Sequence, residues 1–458
     1  MAVLLLIGLA ALVVFTVMLV RGEQASPETE GAVPPDPVSN DPAAFGQASL
    51  VPPGDERPGG LLVFTTRSDG SGAALNYLSG DPLAVQWQSA ELPLADESAP
   101  IPPALATDTV YLANGAELRA LDLADGARRW SADLGAAVPA GCVSCVQPLE
   151  GAVAVLTEDQ TLHAFAAEDG EPLWQVALHT LPRELYRIDE APAVIDSLPD
   201  TESSALLVFD PATGTERARF EPRCETNGVA ETLNPGSPVL VDSASGALTF
   251  LFGFAQRGCA QRWDIATGAI VWSTSVPLER SGWPRTWMAA GPLPAEDAIY
   301  FAGAEGAAIL ALSAGDGALH TLVRSEAYTL KPWALADKTL LVRAERLDDP
   351  EEDELWGIAL PDGERLWTYP ITRDNSSWAA HRAPGGFVVI QLAPDPPRLR
   401  VTLLDAREGT PLRRRALSVD SAAWTGTTWD EASAWLTIGA LYRVDLNTGL
   451  TAQVWPAR

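Results

Sequence analysis

The chain has 458 residues, 47% of them hydrophobic and 20% charged, enough material for one large core or several average domains. Asp and Glu number 60 against 31 Lys and Arg, a formal net charge of −29 with His neutral. A phosphate backbone has to be met by dense Lys and Arg, so this balance excludes nucleic-acid binding as a main function and opposes adsorption to anionic lipid.

Residues 2–20, AVLLLIGLAALVVFTVMLV, form an uncharged, largely apolar run. At about 1.5 Å per helical residue it matches a hydrocarbon core of roughly 30 Å. It lacks the basic flank, short apolar stretch and small-x-small site of a cleaved signal peptide, and no Cys follows it for lipid attachment. The expectation is an uncleaved transmembrane signal anchor over 1–21. Arg21 alone would leave the body in the cytoplasm by the positive-inside rule; the cysteines discussed below argue for the outside. Residues 22–59 hold eight Pro and seven acidic residues. Such a segment buries too little apolar surface to offset its ordering entropy and reads as an extended Pro-rich acidic linker.

From about residue 60 the chain repeats. Copies such as LRALDLADGARRW (118–130), LHAFAAEDGEPLW (162–174) and AQRWDIATGAIVW (260–272) centre on Gly126, Gly170, Gly214, Gly268, Gly317, Gly363, Gly409 and Gly449. Successive glycines lie 40 to 54 residues apart, the period of a four-stranded propeller blade. A looser copy, LNYLSGDPLAVQW (75–87), surrounds Gly80. Four residues before the glycine stand Asp122, Asp210, Asp264, Asp405 and Asp445, whose carboxylates can tie off a tight turn by accepting nearby N–H groups. The glycine supplies the positive φ of such a turn. Four residues after it stand Trp130, Trp174, Trp272 and Trp367, placed to pack between blades and donate an indole N–H. Short apolar runs such as AVAVL (152–156) and FVVIQ (387–391) precede the turns, and long amphipathic helical patterns are absent.

These residues resemble the Trp-docking motif A-x-D-x-x-T-G-x-x-x-W of the PQQ-type β-propellers, most closely at Ala120, Asp122, Gly126 and Trp130. The resemblance covers 60–458 and implies an all-β propeller of four-stranded blades, eight being the usual number for this motif and the number expected here. It also implies a choice of function. The family contains quinoprotein dehydrogenases, which hold pyrroloquinoline quinone (PQQ) and Ca²⁺ on the propeller axis, and the non-enzymatic barrel-assembly lipoprotein BamB. The adjacent cysteine pair usual in the dehydrogenases is missing: the cysteines are Cys142, Cys145, Cys224 and Cys259.

Cys142-Val-Ser-Cys145 reads first as a local structural disulfide, with free thiols, a redox motif or half a zinc site as the alternatives. Cys224 and Cys259 flank one repeat, and an intra-blade disulfide is the preferred reading, though four cysteines allow three pairings. Formed disulfides would put the domain outside the cytoplasm. His163, His179, His320 and His381 are scattered over separate repeats without metal-ligand spacing. The acidic run from Asp348 to Glu354 lacks the alternation of a calcium loop and reads as a solvated hairpin. Arg413, Arg414 and Arg415 follow a turn and should alternate faces on an outer strand.

One further pattern concerns binding. Trp287, Trp333, Trp378 and Trp424 recur 15 to 19 residues after a turn glycine, where the chain begins the next blade's innermost strand. With Arg285 and Lys331 beside them they form a candidate binding mouth on the channel, since aromatics with adjacent cations make recognition surfaces. The expectation is therefore a non-enzymatic, membrane-anchored, extracytoplasmic (periplasmic or cell-surface) scaffold that binds protein partners without a cofactor, and the resemblance to BamB implies envelope assembly as its setting. A PQQ- and calcium-dependent oxidoreductase and the sensor domain of a signalling protein are the alternatives.

Overall fold

A computed structural model describes residues 44–455 except 54–58, 67–71, 90–91, 94–100, 140–141, 143, 200–202, 227–228, 235–236, 253–256, 278–291, 304–305, 350–351 and 373–376. The expected anchor over 1–21 and the linker up to residue 43 lie outside the described residues. Among the described residues no helix is long and apolar enough to cross a membrane.

The short apolar runs, punctuated by Gly, Pro and Asp, fold into strands. They assemble as nine antiparallel sheets over 44–93, 104–133, 146–177, 186–220, 239–277, 293–324, 328–372, 377–418 and 424–455, here blades 1 to 9; eight are four-stranded, and blade 1 adds the two-residue strand Leu92–Pro93 as a fifth. Within each blade the four main strands pair in chain order as a meander, and in blade 1 Leu92–Pro93 pairs back onto the third strand. A two-stranded ribbon, Arg223–Thr226 with Val229–Thr232, stands between blades 4 and 5.

Burial orients each sheet. Second strands such as Ala152–Leu156 are wholly buried, whereas fourth strands such as Pro411–Ser418 are almost wholly exposed. The fourth strand therefore forms the outer rim, and the first lies at the inner edge along the channel. Cores form between blades: Leu341 and Leu355 of blade 7 pack with Phe387 and Val389 of blade 8, and Leu399 and Val401 of blade 8 with Leu436 and Tyr442 of blade 9. Ala48, Leu61, Val63 and Leu78 of blade 1 pack with Trp435 and Leu441 of blade 9 and close the ring. The Thr428 hydroxyl donates to the Ala48 carbonyl across the same seam.

Two expectations change. The propeller has nine blades, not eight, because the looser copy around Gly80 forms a sheet of its own. Its turn is as long as the others, Tyr77 lying opposite Trp87 as Ala120 lies opposite Trp130, but its glycine stands three residues earlier, which obscured its register. The body also begins earlier than residue 60. Ala44–Val51, inside the segment read as linker, pairs antiparallel with Gly60–Thr66 as the first strand of blade 1. Pro52 and Pro53 belong to the connection after it, where no ladder N–H is needed, so the Pro-rich composition misplaced the boundary.

Candidate binding face

The repeat residues meet between blades. In the turns, the Asp122 carboxylate accepts from Ala124 N at 2.8 Å, Asp264 from Thr267 N at 2.7 Å and Asp445 from Thr448 N at 2.7 Å. Asp405 accepts from both Arg407 N and Glu408 N at 2.8 Å, and Asp210 from Thr213 N at 2.9 Å. Hydrogen bonds from Thr213 hold the Asp210 carboxyl below its ordinary pKa, and those from Thr267 do the same for Asp264. Trp87, Trp130, Trp174, Trp272 and Trp367 each donate the indole Nε1–H to a turn carbonyl of the following blade, of Leu123, Ala167, Pro211, Ala314 and Ala406, at 2.8 to 3.0 Å. The ring lies on the following turn glycine so closely that a Cβ at Gly126, Gly170, Gly214, Gly317 or Gly409 would stand 2.4 to 2.7 Å from an indole carbon. These tryptophans are therefore mortar between blades 1–2, 2–3, 3–4, 5–6 and 7–8.

Both disulfides are formed. Cys142 pairs with Cys145 just ahead of blade 3, and Cys224 with Cys259. The second bond is not confined to one blade: Cys224 is on the ribbon and Cys259 on the third strand of blade 5, Arg257–Asp264. The ribbon is an insertion between repeats, which spacing alone did not separate from blade 4.

Trp333, Trp378 and Trp424 stand on the first strands of blades 7, 8 and 9, Tyr328–Ala336, Ser377–Ala383 and Trp424–Trp429. Trp287 and Arg285 lie outside the described residues. Trp333 and Trp378 are brought together, with ring centroids 4.7 Å apart, and Trp333 Nε1–H donates to the Ala380 carbonyl at 2.8 Å. Trp424 is held by its own strand instead, donating to the Gly426 carbonyl and the Thr427 hydroxyl. A second stack pairs His381 with Trp429, centroids 4.7 Å apart at 13°.

Lys331 is not a free cation. Its Nζ is 2.8 Å from Glu345, which also meets Arg343 at 3.0 Å. Arg343 lies over the Trp378 ring at 4.9 Å and donates to Asp353 at 2.7 Å. Asp353 is buried on the strand Glu352–Ala359, so the acidic run is only partly the solvated hairpin expected; Asp348, farther out, pairs with Arg346 on the surface. Sequence reading missed Arg343, Asp353, Trp429 and the docking role of Trp87. An Arg directly after the apolar run Leu340–Val342 of the strand TLLVRAER was the available signal for Arg343.

The cofactor of the dehydrogenases can be tested on this geometry. Among the described residues no three His, Cys, Asp or Glu side chains converge as ligands for a metal ion, and the cations of the aromatic cluster are already matched by carboxylates. The described residues do not fit a calcium–quinone site.

The family model PQQ_2, outer membrane protein assembly factor BamB, matches residues 57–141, 84–276 and 256–428. The chain belongs to this family. Solved structures of similar fold include BamB from Moraxella catarrhalis, 12% identical with a TM-score of 0.45 over 87% of this chain and 95% of that one. They also include the quinohemoprotein alcohol dehydrogenase of Comamonas testosteroni, 11% identical with a TM-score of 0.45 over 74% of this chain and 70% of that one. No curated protein sequence matches at a significant level. Family membership establishes the PQQ-like propeller and leaves both scaffold and enzyme within reach, since one fold hosts many activities.

Proposed function

We propose that this chain is a non-enzymatic scaffold, anchored by its N-terminal segment with the propeller outside the cytoplasmic membrane, that binds protein partners in envelope assembly. The observation that carries the reading is the Trp333–Trp378 pair with Arg343 stacked on it at the inner edge of blades 7 and 8. Its charges are balanced internally, so it presents half-buried, stiff aromatic surface of the kind that anchors protein interfaces. The two disulfides support an oxidising compartment, and the description of the family model, an outer membrane protein assembly factor, supports the cellular context.

Fluorescence titration of the full chain with PQQ, with and without Ca²⁺, tests the reading. Fifteen Trp make the emission sensitive to a stacked quinone. The expected result is no saturable quenching; saturable, Ca²⁺-dependent quenching abolished by Trp378→Ala would overturn the scaffold reading in favour of the oxidoreductase. A photo-crosslinking residue at position 378 should trap a partner in cells, whereas one at Leu173, on the rim of blade 3, should not.

A further inference from the structure

Many strand cations outside blade 8 are neutralised where they stand. Arg119, Arg129, Arg187, Arg219, Arg223, Arg262, Arg343, Arg346 and Lys331 each pair with Asp or Glu. Arg128 and Arg217 stand singly without an ion pair among the described residues, but blade 8 gathers such arginines in number. Its residues 377–418 contain seven Arg against Asp395, Asp405 and Glu408. All seven arginines are exposed, and none forms an ion pair among the described residues.

The arginines are concentrated at the rim. The fourth strand, Pro411–Ser418, pairs on one side with Pro397–Asp405, and among the described residues its other edge is free. Arg413 and Arg415 stand opposite Leu403 and Val401 on one face of the sheet. Arg414 stands opposite Thr402 on the other face, the face that also carries Arg400 and Arg398. Both faces of one free edge are thus lined with unmatched guanidinium groups. Protection against edge-to-edge aggregation does not explain this, because the rim strands of blades 3, 5 and 9, PLWQVA, IVWSTSVP and TAQVW, carry no charge.

We propose that the rim of blade 8 takes up an extended acidic segment of a partner protein as a fifth strand. Main-chain hydrogen bonds along the free edge would supply register-independent affinity. Consecutive carboxylates of the added strand would fall alternately beside Arg413 and Arg415 on one face and beside Arg414 on the other. A segment fits better than a lipid surface. The basic strip is one strand wide and about 27 Å long at 3.4 Å per residue, while the rest of a chain at −29 repels a broad anionic plane. This surface is separate from the aromatic cluster on the channel, and the inference stands or falls independently of what binds there.

The test uses the full chain and a fluorescein-labelled peptide of six consecutive Glu flanked by Thr-Val pairs, with anisotropy read at low salt. Saturable binding is expected, weakened about tenfold or more by R413E/R414E/R415E. The control R128E/R217E/R324E makes the same change in net charge on the rim strands of blades 2, 4 and 6 and should leave binding intact. Equal melting temperatures of the two variants check the fold. The same peptide with alternate residues N-methylated keeps its charge, cannot complete a ladder, and should bind at least tenfold more weakly. Equal losses in both triple variants, or undiminished binding of the N-methylated peptide, would overturn the proposal. So would arginine-dependent binding to phosphatidylglycerol vesicles without peptide binding, or salt-sensitive self-association through the same arginines.

Discussion

At Gly170 and Gly268 the same residue type answers two different demands. Both glycines have positive φ, near 75° and 65°, where a Cβ costs about 1 kcal/mol. Gly170 is also covered by Trp130, whose ring would stand 2.5 Å from an added Cβ, whereas nothing lies within 4 Å of one at Gly268. Gly268→Ala should therefore cost about 1 kcal/mol, and Gly170→Ala about 1–3 kcal/mol more, measured by chemical denaturation; equal costs would remove the close-approach argument. Titration separates two further residue classes. Burial pushes the His163 pKa down, with Asp159 opposing weakly, so the unfolded chain takes up this proton first. Stability is then lost as pH falls below the unfolded value of about 6.5, and His163→Gln should flatten the melting temperature between pH 6.5 and 5. The turn carboxylates act lower. Asp210 and Asp264 are held down by threonine hydrogen bonds, and their contribution is present above about pH 4 and lost as pH falls below it.

Elements are joined by three kinds of fastening. Five interfaces carry the docked indole, and replacing Trp130 or Trp272 by Ala should cost about 3–5 kcal/mol; a loss under 1 kcal/mol would deny them that role. Elsewhere the docking position holds Ala218, Thr321, Arg413 or Gln453. Between blades 4 and 5, where Ala218 leaves Gly268 uncovered, the Cys224–Cys259 bond and the Gln261 amide donating to the Arg223 carbonyl tie the ribbon to blade 5. The covalent tie stands where the indole is missing. Replacing both cysteines by Ser should destabilise by about 3–4 kcal/mol by the loop-entropy argument. Adding Ala218→Trp should recover part of that loss, read in the same melting experiment. Between blades 3 and 4 a third device appears: buried Asp196 accepts from His179 N, Thr180 N and Ser197 N at 2.9 to 3.0 Å and pins the connecting segment.

The whole molecule is a ring closed without exchange of strands between the chain ends. Blade 1 is built from residues 44–93 and blade 9 from 424–455, and packing of Ala48, Leu61 and Val63 on Trp435 and Leu441 holds the seam. The docking position at this seam holds Gln453, and the indoles packed there are Trp435 and Trp455. Exchange of blade 1 and blade 9 amides should accordingly be faster than that of blades 2 and 3, whose shared interface is fastened by Trp130. What was legible in advance follows from local chemistry. The Asp, Gly and Trp of the turns act within a few residues of one another or on the next repeat, so spacing alone revealed an all-β propeller and the strands that bear Trp333, Trp378 and Trp424. Blade number was not legible in the same way, because Gly80 stands three residues earlier in its turn than its siblings do and the first strand follows a Pro-rich stretch. Nor was the pairing of charges. Whether Lys331 and Arg343 are free or matched depends on Glu345 and Asp353, which neighbouring strands bring opposite them, and whether Arg413, Arg414 and Arg415 stay unmatched depends on what lies beyond a sheet edge. Turn and strand signals are short-range and repeat with the chain; the company a charge keeps is set by strands distant in sequence, and only the folded ring decides it.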